Sequence, residues 1–187
     1  MINLVDVLDK NGNLTGKSVS LNEVQARGYW HAGVHALIFK NNREILIQKR
    51  THEIIFHPDE LDISVGGTVD SGEQPDQTML REIKEEVGLS IPADKLMLIS
   101  VTRYNHYWPS LKKKNRTIMY SYLVEIDESD IQLQVQPEEI SWAKFISLGE
   151  AKKLIRKGRI KSLGKIEPTY AYYKSLISAM ESYILKS

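Results

Sequence analysis

The stretch Gly67–Leu89, GTVDSGEQPDQTMLREIKEEVGL, places an arginine and three glutamates on one short helix behind a glycine-rich turn. Pro75 suits the first turn of a helix, where its missing amide hydrogen costs nothing. Asp76 adds negative charge at the positive end of the helix dipole, and Gly88 supplies the stop. The spacing predicts a helix over 75–87. At about 100° per residue, Met79, Leu80, Ile83 and Val87 share one side, while Glu82, Glu85 and Glu86 gather on another. One stripe is suited to burial and the other is acidic. Carboxylates this close repel one another by a few tenths of a kcal/mol per pair, so the helix calls for a neutralising partner. Hard oxygen donors favour Mg²⁺ or Mn²⁺ over a soft-site metal. A solvated, charged helix face is the alternative. The turn before the helix weighs against it, because Gly66-Gly67 and Ser71-Gly72 allow tight backbone geometry and would let a glycine carbonyl approach a cation. Arg81 is spaced to reach back to Glu73 and fix the loop against the helix, although an ordinary surface ion pair of little energetic value fits the same spacing.

The complete pattern resembles the Nudix box, in which a glycine, a spaced glutamate and an Arg-Glu-hydrophobic-any-Glu-Glu-any-Gly-hydrophobic run follow in order. Gly67, Glu73, Arg81, Glu82, Ile83, Glu85, Glu86, Gly88 and Leu89 meet every defining position. The resemblance implies that Glu82, Glu85 and Glu86 bind metal, that the carbonyl of Gly66 is a further ligand, and that Arg81 and Glu73 organise the box. Strand-like segments extend the likeness over about residues 30 to 150. The flanking segments Trp30–Ala36, Leu46–Arg50 and Leu61–Gly67, with Asp6–Asn13 as the turn of an amino-terminal hairpin, look like the branch of Nudix hydrolases related to isopentenyl-diphosphate isomerase.

That branch can be tested chemically. The isomerase is expected to use a cysteine and a glutamate as opposed proton-transfer groups, but the matching loop here is Ser64-Val65-Gly66 and the chain has no cysteine. Val65 cannot exchange a proton. The isomerase branch also commonly carries a degraded box, whereas this one is intact. Both observations favour hydrolysis of a diphosphate linkage in a nucleoside diphosphate derivative or related phosphorylated metabolite. Isomerisation and noncatalytic diphosphate binding are the alternatives. In hydrolysis, divalent ions neutralise the diphosphate and acidify a water that attacks phosphorus opposite the leaving oxygen. Glu86 is one candidate to activate that water, and Glu139 is another, resembling a carboxylate found beyond the central sheet in many family members. Glu138 competes with Glu139.

For substrate positioning, Arg50 follows a strand and offers a planar donor fork for phosphate. Arg103 and Tyr107, within the mixed aromatic and basic run Arg103-Tyr104-Asn105-His106-Tyr107-Trp108, suit a base or an apolar moiety, with loop packing or a subunit contact as the other reading. Lys112-Lys113-Lys114 and Arg116 are suited to steering an anionic substrate, but read first as a solvated turn before the strand at Thr117. His31 and His35 invite a metal reading, but the spacing only puts them on one side of a strand, and hydrogen bonding is the expected role. His52 and His57, in a Pro-containing loop, read the same way.

Strands are expected over 2–8, 33–39, 44–49, 96–104, 117–126 and 140–145, with a turn at Asp9–Asn13 and a polar connection to residue 28. Ser147 caps a helix to Lys157, and residues 169–185 form a last helix whose stripe of Tyr173, Leu176, Ile177, Met180 and Tyr183 suits core or dimer packing. These elements predict a Nudix α/β/α sandwich with a central mixed sheet and an amino-terminal hairpin extension: a single domain over 1–187 with 1–29 as the extension. The 187 residues and 42% hydrophobic content suit one good-sized core. With 25 Lys and Arg against 24 Asp and Glu, there is no global basic field for a nucleic-acid polymer, while a small diphosphate needs only local charge. The absence of cysteine excludes disulfides and thiolate chemistry and fits a reducing cytosol. No secretory segment or membrane-length apolar run is present, so a cytoplasmic protein without a membrane partner is expected, with a homodimer left open.

Overall fold

In the computed structural model, residues 4–40, 43–54, 57–127, 131–160 and 169–186 are described. Strand β3 (Trp30–Lys40) organises them. Its apolar run is buried on both faces, as a central strand requires. It pairs in parallel with β8 (Lys113–Ile126), from Trp30 opposite Arg116 to Lys40 opposite Ile126. Its first half also pairs antiparallel with β6 (Val65–Thr68). Among the described residues the sheet has nine strands and is mixed.

The side-chain alternation of β3 sorts the layers. Val34, Ala36 and Ile38 pack with Met79, Ile83 and Val87 of α2 (Pro75–Val87). Leu37 and Phe39 point the other way, into a cluster with Ala151 and Ile155 of α3 (Leu148–Arg156) and Tyr173, Leu176, Ile177 and Met180 of α4 (Thr169–Ile184). The result is the expected α/β/α sandwich, with the stripe of α4 in the core. Burying each such side chain contributes about 1.5–3 kcal/mol, so all three helices are held chiefly by their apolar stripes.

Strand β4 (Glu44–Arg50) pairs with β5 (Leu61–Ile63) and with β9 (Ile140–Ser147), which carries Glu139 to the sheet end just before its first residue. The amino-terminal hairpin is present as β1 (Leu4–Leu8) and β2 (Leu14–Ser20), and its first strand joins β3 through Leu8 opposite Trp30. The first two residues of the strand expected from Ile2 lie outside the described residues. In place of a polar connection to residue 28, the chain makes β2 and then α1 (Leu21–Arg27). Ser20 caps that helix by accepting from Glu23 N, and Gly28 ends it at φ 67°. Those residues are the cap and stop that a short helix needs. Strand β7 (Leu96–Trp108) and β8 are both longer than expected and pair antiparallel out to Trp108 opposite Lys113, so Lys113 and Lys114 belong to a strand rather than a turn. Among the described residues no helix is long and apolar enough to cross a membrane.

Candidate active site

The turn and the middle of α2 form one ionic clamp. Arg81 donates to both oxygens of Glu73, Nε to Oε1 at 3.1 Å and Nη2 to Oε2 at 3.0 Å, and the Thr78 hydroxyl donates to Glu73 Oε2 at 2.6 Å. The other arm of the guanidinium, Nη1, donates to Glu82 Oε1 and Glu85 Oε2, each at 3.0 Å. The Arg81 hydrogen bonds hold Glu73 below its ordinary pKa, and the same bonds raise that of Arg81. The clamp is tied to the amino-terminal hairpin through Asp6, which accepts from Gly72 N at 3.0 Å and from the Ser71 hydroxyl at 2.6 Å.

Behind the clamp the carboxylates are buried. Glu86 is 1% exposed, and its Oε2 accepts from Gln48 Nε2 at 3.0 Å across the sheet. Burial, followed by the negative fields of Glu82 and Glu139, pushes its pKa well up, opposed by Arg50 and the Gln48 hydrogen bond. Burial likewise raises Glu82 to about 7, with Arg81 opposing and Glu139 adding to the rise. Glu82, Glu86 and Glu139 therefore share one electrostatic site, assembled from α2 and the approach to β9. Gly67 is required there: a Cβ on it would run into the Glu82 carboxylate. Gly66 is also tightly placed, since a Cβ there would stand 3.0 Å from the His35 ring and press on it.

Among the described residues no group of three or more His, Asp or Glu side chains stands ready to hold a metal ion. Arg81 draws Glu82 and Glu85 to itself, and Gln48 draws Glu86. The donor chemistry nevertheless fits a hard divalent cation. The donors are oxygens, and Glu82 and Glu86 hold protons more tightly than usual, first because burial disfavours their charge and then because neighbouring carboxylates add negative field that Arg81 and Arg50 only partly offset.

A cleft of about 800 Å³ opens over this region. Of the residues singled out in the sequence, Arg50, Gly66, Arg81, Glu82, Glu85 and Glu139 line it. Glu73 and Glu86 stand behind it. Glu139, not Glu138, is the carboxylate on its wall. The cleft does not include Arg103, whose Nε donates to the Lys10 carbonyl at 3.1 Å, or Tyr107, whose side chain is exposed. Strand periodicity is the reason. Tyr104, His106 and Trp108 alternate onto the cleft face of β7, which turns 103, 105 and 107 away. Extending the period-two pattern beyond 104 would have selected these residues.

His35 and Asp62, also on the cleft wall, belong to a buried polar network under it. His35 Nδ1 and the Tyr172 hydroxyl are 2.7 Å apart, and Tyr172 in turn meets the Ser121 hydroxyl at 3.0 Å. Asp62 Oδ1 accepts from the Tyr173 hydroxyl at 2.6 Å and from Ile63 N at 2.8 Å. His35 Nε2 stands 3.4 Å from the same oxygen, close enough for an ion pair without completing a hydrogen bond. Burial would raise the Asp62 pKa, but His35, Tyr173 and the field of Arg50 outweigh it and hold the carboxyl low. Helix α4 thus reaches beneath the cleft floor. His31 makes a 3.4 Å contact with the Thr117 hydroxyl, while His52 and His57 pair through Nδ1 with Asp59 and Glu60. All four histidines have the polar partners expected of them.

The NUDIX domain profile matches residues 29–164. Nudix hydrolase 3 of Arabidopsis thaliana is 31% identical over 90% of this chain, which spans only 21% of that protein's length. An uncharacterized Nudix hydrolase of Listeria monocytogenes is 30% identical, with 82% of this chain and 85% of the relative covered. Among solved structures, DR0079 from Deinococcus radiodurans aligns over 90% of this chain and 98% of its own with a TM-score of 0.66 at 20% identity. An Ap4A hydrolase of C. elegans aligns over 83% of this chain and 99% of its own with a TM-score of 0.54 at 18% identity. These two structural likenesses establish a shared fold.

Proposed function

The chain belongs to the Nudix family, and from that premise we propose that it is a Mg²⁺- or Mn²⁺-dependent diphosphate hydrolase acting on a nucleoside diphosphate derivative or related phosphorylated metabolite. The observation that carries the reading is the convergence of buried Glu86, largely buried Glu82 and exposed Glu139, whose negative fields act on one another, at the base of a cleft large enough for a nucleotide. Glu82, Glu85, Glu86 and the Gly66 carbonyl would hold the ion. When bound, it supplies charge neutralisation of the diphosphate and acidification of water. Arg81 and Glu73 fix the loop that presents Gly66 and Gly67 against α2. Arg50, on the cleft wall with its charge felt by Glu86 and Asp62, would offer its donor fork to a phosphate oxygen. Glu139 takes the proton of the attacking water, with Glu86 as the competing base. Such an enzyme works in the cytoplasm on a small molecule, without a nucleic-acid polymer or membrane partner; a homodimer would leave this chemistry unchanged.

The reading is tested by incubating the protein with either metal and a panel of nucleotide, nucleotide-sugar, dinucleotide and isoprenoid diphosphates. At least one class should release phosphate or a monophosphate. Folded, metal-binding protein with no turnover on the whole panel would replace the reading with a noncatalytic diphosphate-binding module. NMR of the isopentenyl diphosphate sample addresses the isomerase branch. Without a cysteine, and with Val65 at the matching loop, no dimethylallyl diphosphate should form. Its robust formation without phosphate release would overturn hydrolysis.

A further inference from the structure

The glycine-rich turn ahead of α2 is gripped from two sides. On the inner side Glu73 takes two hydrogen bonds from Arg81, whose remaining arm goes to Glu82 and Glu85. On the outer side the grip comes from the amino-terminal extension, ahead of the family domain at 29–164. The chain leaving β6 runs onto β1, where Ser71 N donates to the Leu4 carbonyl at 2.7 Å. Asp6 then takes the turn with both of its carboxylate oxygens: Oδ1 accepts from the Ser71 hydroxyl at 2.6 Å and Oδ2 from Gly72 N at 3.0 Å. Ser18, opposite Asp6 in the hairpin register, donates its hydroxyl to the same Oδ1 at 2.5 Å and stands 3.0 Å from the Ser71 hydroxyl. Ser71 and Gly72 are the two central residues of a turn that Glu73 N closes on the Asp70 carbonyl at 3.0 Å, with Gly72 at φ 84°. Asp6 therefore holds the middle of the turn whose last residue, Glu73, pairs with Arg81. Burial alone would raise the Asp6 pKa, but the hydrogen bonds from Ser18, Ser71 and Gly72 outweigh it and keep the carboxyl below its ordinary value. The group is a carboxylate at neutral pH, and hydrogen bonds to a charged acceptor are the stronger kind.

We propose that Asp6 is a positioning residue for the metal site: through Ser71 and Gly72 it fixes Glu73 on Arg81, and so limits the hold of Arg81 on Glu82 and Glu85. The inference rests on the reading of those two carboxylates as metal ligands. Arg81 and a divalent cation compete for them, because a carboxylate oxygen turned to the guanidinium is turned away from the ion. With Glu73 fixed, the guanidinium charge is shared among three carboxylates. With the turn released, Glu73 has to be ordered afresh at an entropic cost, and the charge falls on the two ligands alone. Loss of Asp6 therefore weakens cation binding without touching a ligand. The extension is in this way a working part of the site rather than an appendage to the domain.

The test uses the full chain, with Mn²⁺ binding followed by the EPR signal of the free ion and the metal-free protein followed by NMR. Asp6→Asn keeps the size of the side chain but exchanges one accepting oxygen for a donor and removes the charge. It should weaken Mn²⁺ binding by about 3–10-fold, less than the loss for a group bonded directly to a ligand, while kcat at saturating metal stays within about twofold. Without metal, the Arg81 Nε–H resonance should shift and the Gly72 amide should exchange about tenfold or more faster. Ser71→Ala, at an exposed position, removes one bond to Asp6 and should act in the same direction. Thr15→Val removes a bond inside the hairpin, from its hydroxyl to the Val7 carbonyl at 2.7 Å, and should leave Mn²⁺ affinity unchanged. Unchanged Mn²⁺ affinity in Asp6→Asn and Ser71→Ala, or an unmoved Arg81 resonance, would overturn the proposal. So would an equal loss of affinity in Thr15→Val, which would mean that hairpin stability alone is at work. Hydrolysis with unchanged metal affinity in the Asp6 variant removes the positioning role alone, and weakened Mn²⁺ binding in that variant without hydrolysis by the unmodified chain on the diphosphate panel removes the hydrolase reading alone. No Mn²⁺ binding by the unmodified chain would remove both.

Discussion

Along α2, Arg81, Glu82, Glu85 and Glu86 are neighbours in sequence; Arg81, Glu82 and Glu85 enter an ionic clamp completed by Glu73 a few residues upstream, and Glu86 stands behind it. The opposite wall gathers His31 and His35 from β3, His57 from the loop before β5, and His106 and Trp108 from β7. The first region is charged and its geometry follows from helical spacing. The second is lined by rings, with one buried carboxylate, Asp62, against His35, and its geometry follows from the registers that join β3 to β8 and β8 to β7. The contrast teaches that one cleft can have its charged end specified locally and its ring-lined wall assembled over long range. It also predicts that changes at the two ends have separable consequences.

The largest effect should come at the charged end. Glu86→Gln keeps the shape and the neighbour Gln48 but deletes the charge, and should lower kcat by about 10²–10³-fold, the scale of losing one pre-organised electrostatic group. Metal titration should weaken in parallel, while unfolding of the metal-free protein should show no loss of stability, because the buried charge is itself unfavourable. Near-normal turnover and metal binding would break the assignment of Glu86.

Acid should separate the ends next. The His31 pKa falls from 6.5 in the unfolded chain to about 4 in the folded one, so the unfolded state binds more protons between those values. The associated stability is fully present above pH 6.5 and is lost as pH falls through about 4, up to about 3 kcal/mol in all. Glu82 has the opposite sign. Its folded pKa of about 7 lies above the ordinary 4.5, so without metal its contribution is present below 4.5 and lost as pH rises through about 7. Denaturant melts against pH in the presence of a chelator should therefore show a limb on each side. His31→Gln should flatten the acidic limb alone and Glu82→Gln the other alone; a His31→Gln profile identical to that of the unmodified chain would sink the first half.

A smaller loss is expected from Arg81→Lys. Lysine keeps one charge but cannot bridge Glu73, Glu82 and Glu85 together, so stability should fall by about 2 kcal/mol and turnover by about 10–100-fold, as for outer groups that orient metal ligands. Full activity in the lysine variant would mean that the clamp's geometry is unimportant. The smallest effect belongs to Arg103→Ala, which removes an exposed contact to the Lys10 carbonyl outside the cleft. Turnover should stay within twofold and stability within about 0.5 kcal/mol; a tenfold rise in KM would bring Arg103 back as a substrate contact.

The helix at 75–87, its Gly88 stop and its acidic stripe were legible because each depends on residues within a few positions of one another. The same holds for Ser147 at the start of α3 and for the apolar stripe of α4. Short β5 and β6 were not legible, since three or four residues carry too little periodicity and owe their extended form to pairing with β4 and β3. The overlooked α1 did carry local signals, Ser20 and Gly28, but lacked a long apolar stripe. At the site, sequence selected Glu82, Glu85, Glu86 and Glu139, and it named the aromatic run near Trp108 without knowing which alternate residues face the cleft.

The sequence by itself determined the family, the acidic helix, the layers of the sandwich and the oxygen-rich chemistry at its base, because helical spacing and apolar alternation act over short range. Only tertiary structure decided that Tyr172 and Tyr173 of α4 hold His35 and Asp62 beneath the cleft, that Gly67 gives way to the Glu82 carboxylate, and that Trp108 rather than Tyr107 joins His31 at the far wall. The physical reason is register. A strand shifted by one residue exchanges every inward side chain for an outward one, and registers between strands far apart in the chain are fixed by how the whole sheet packs.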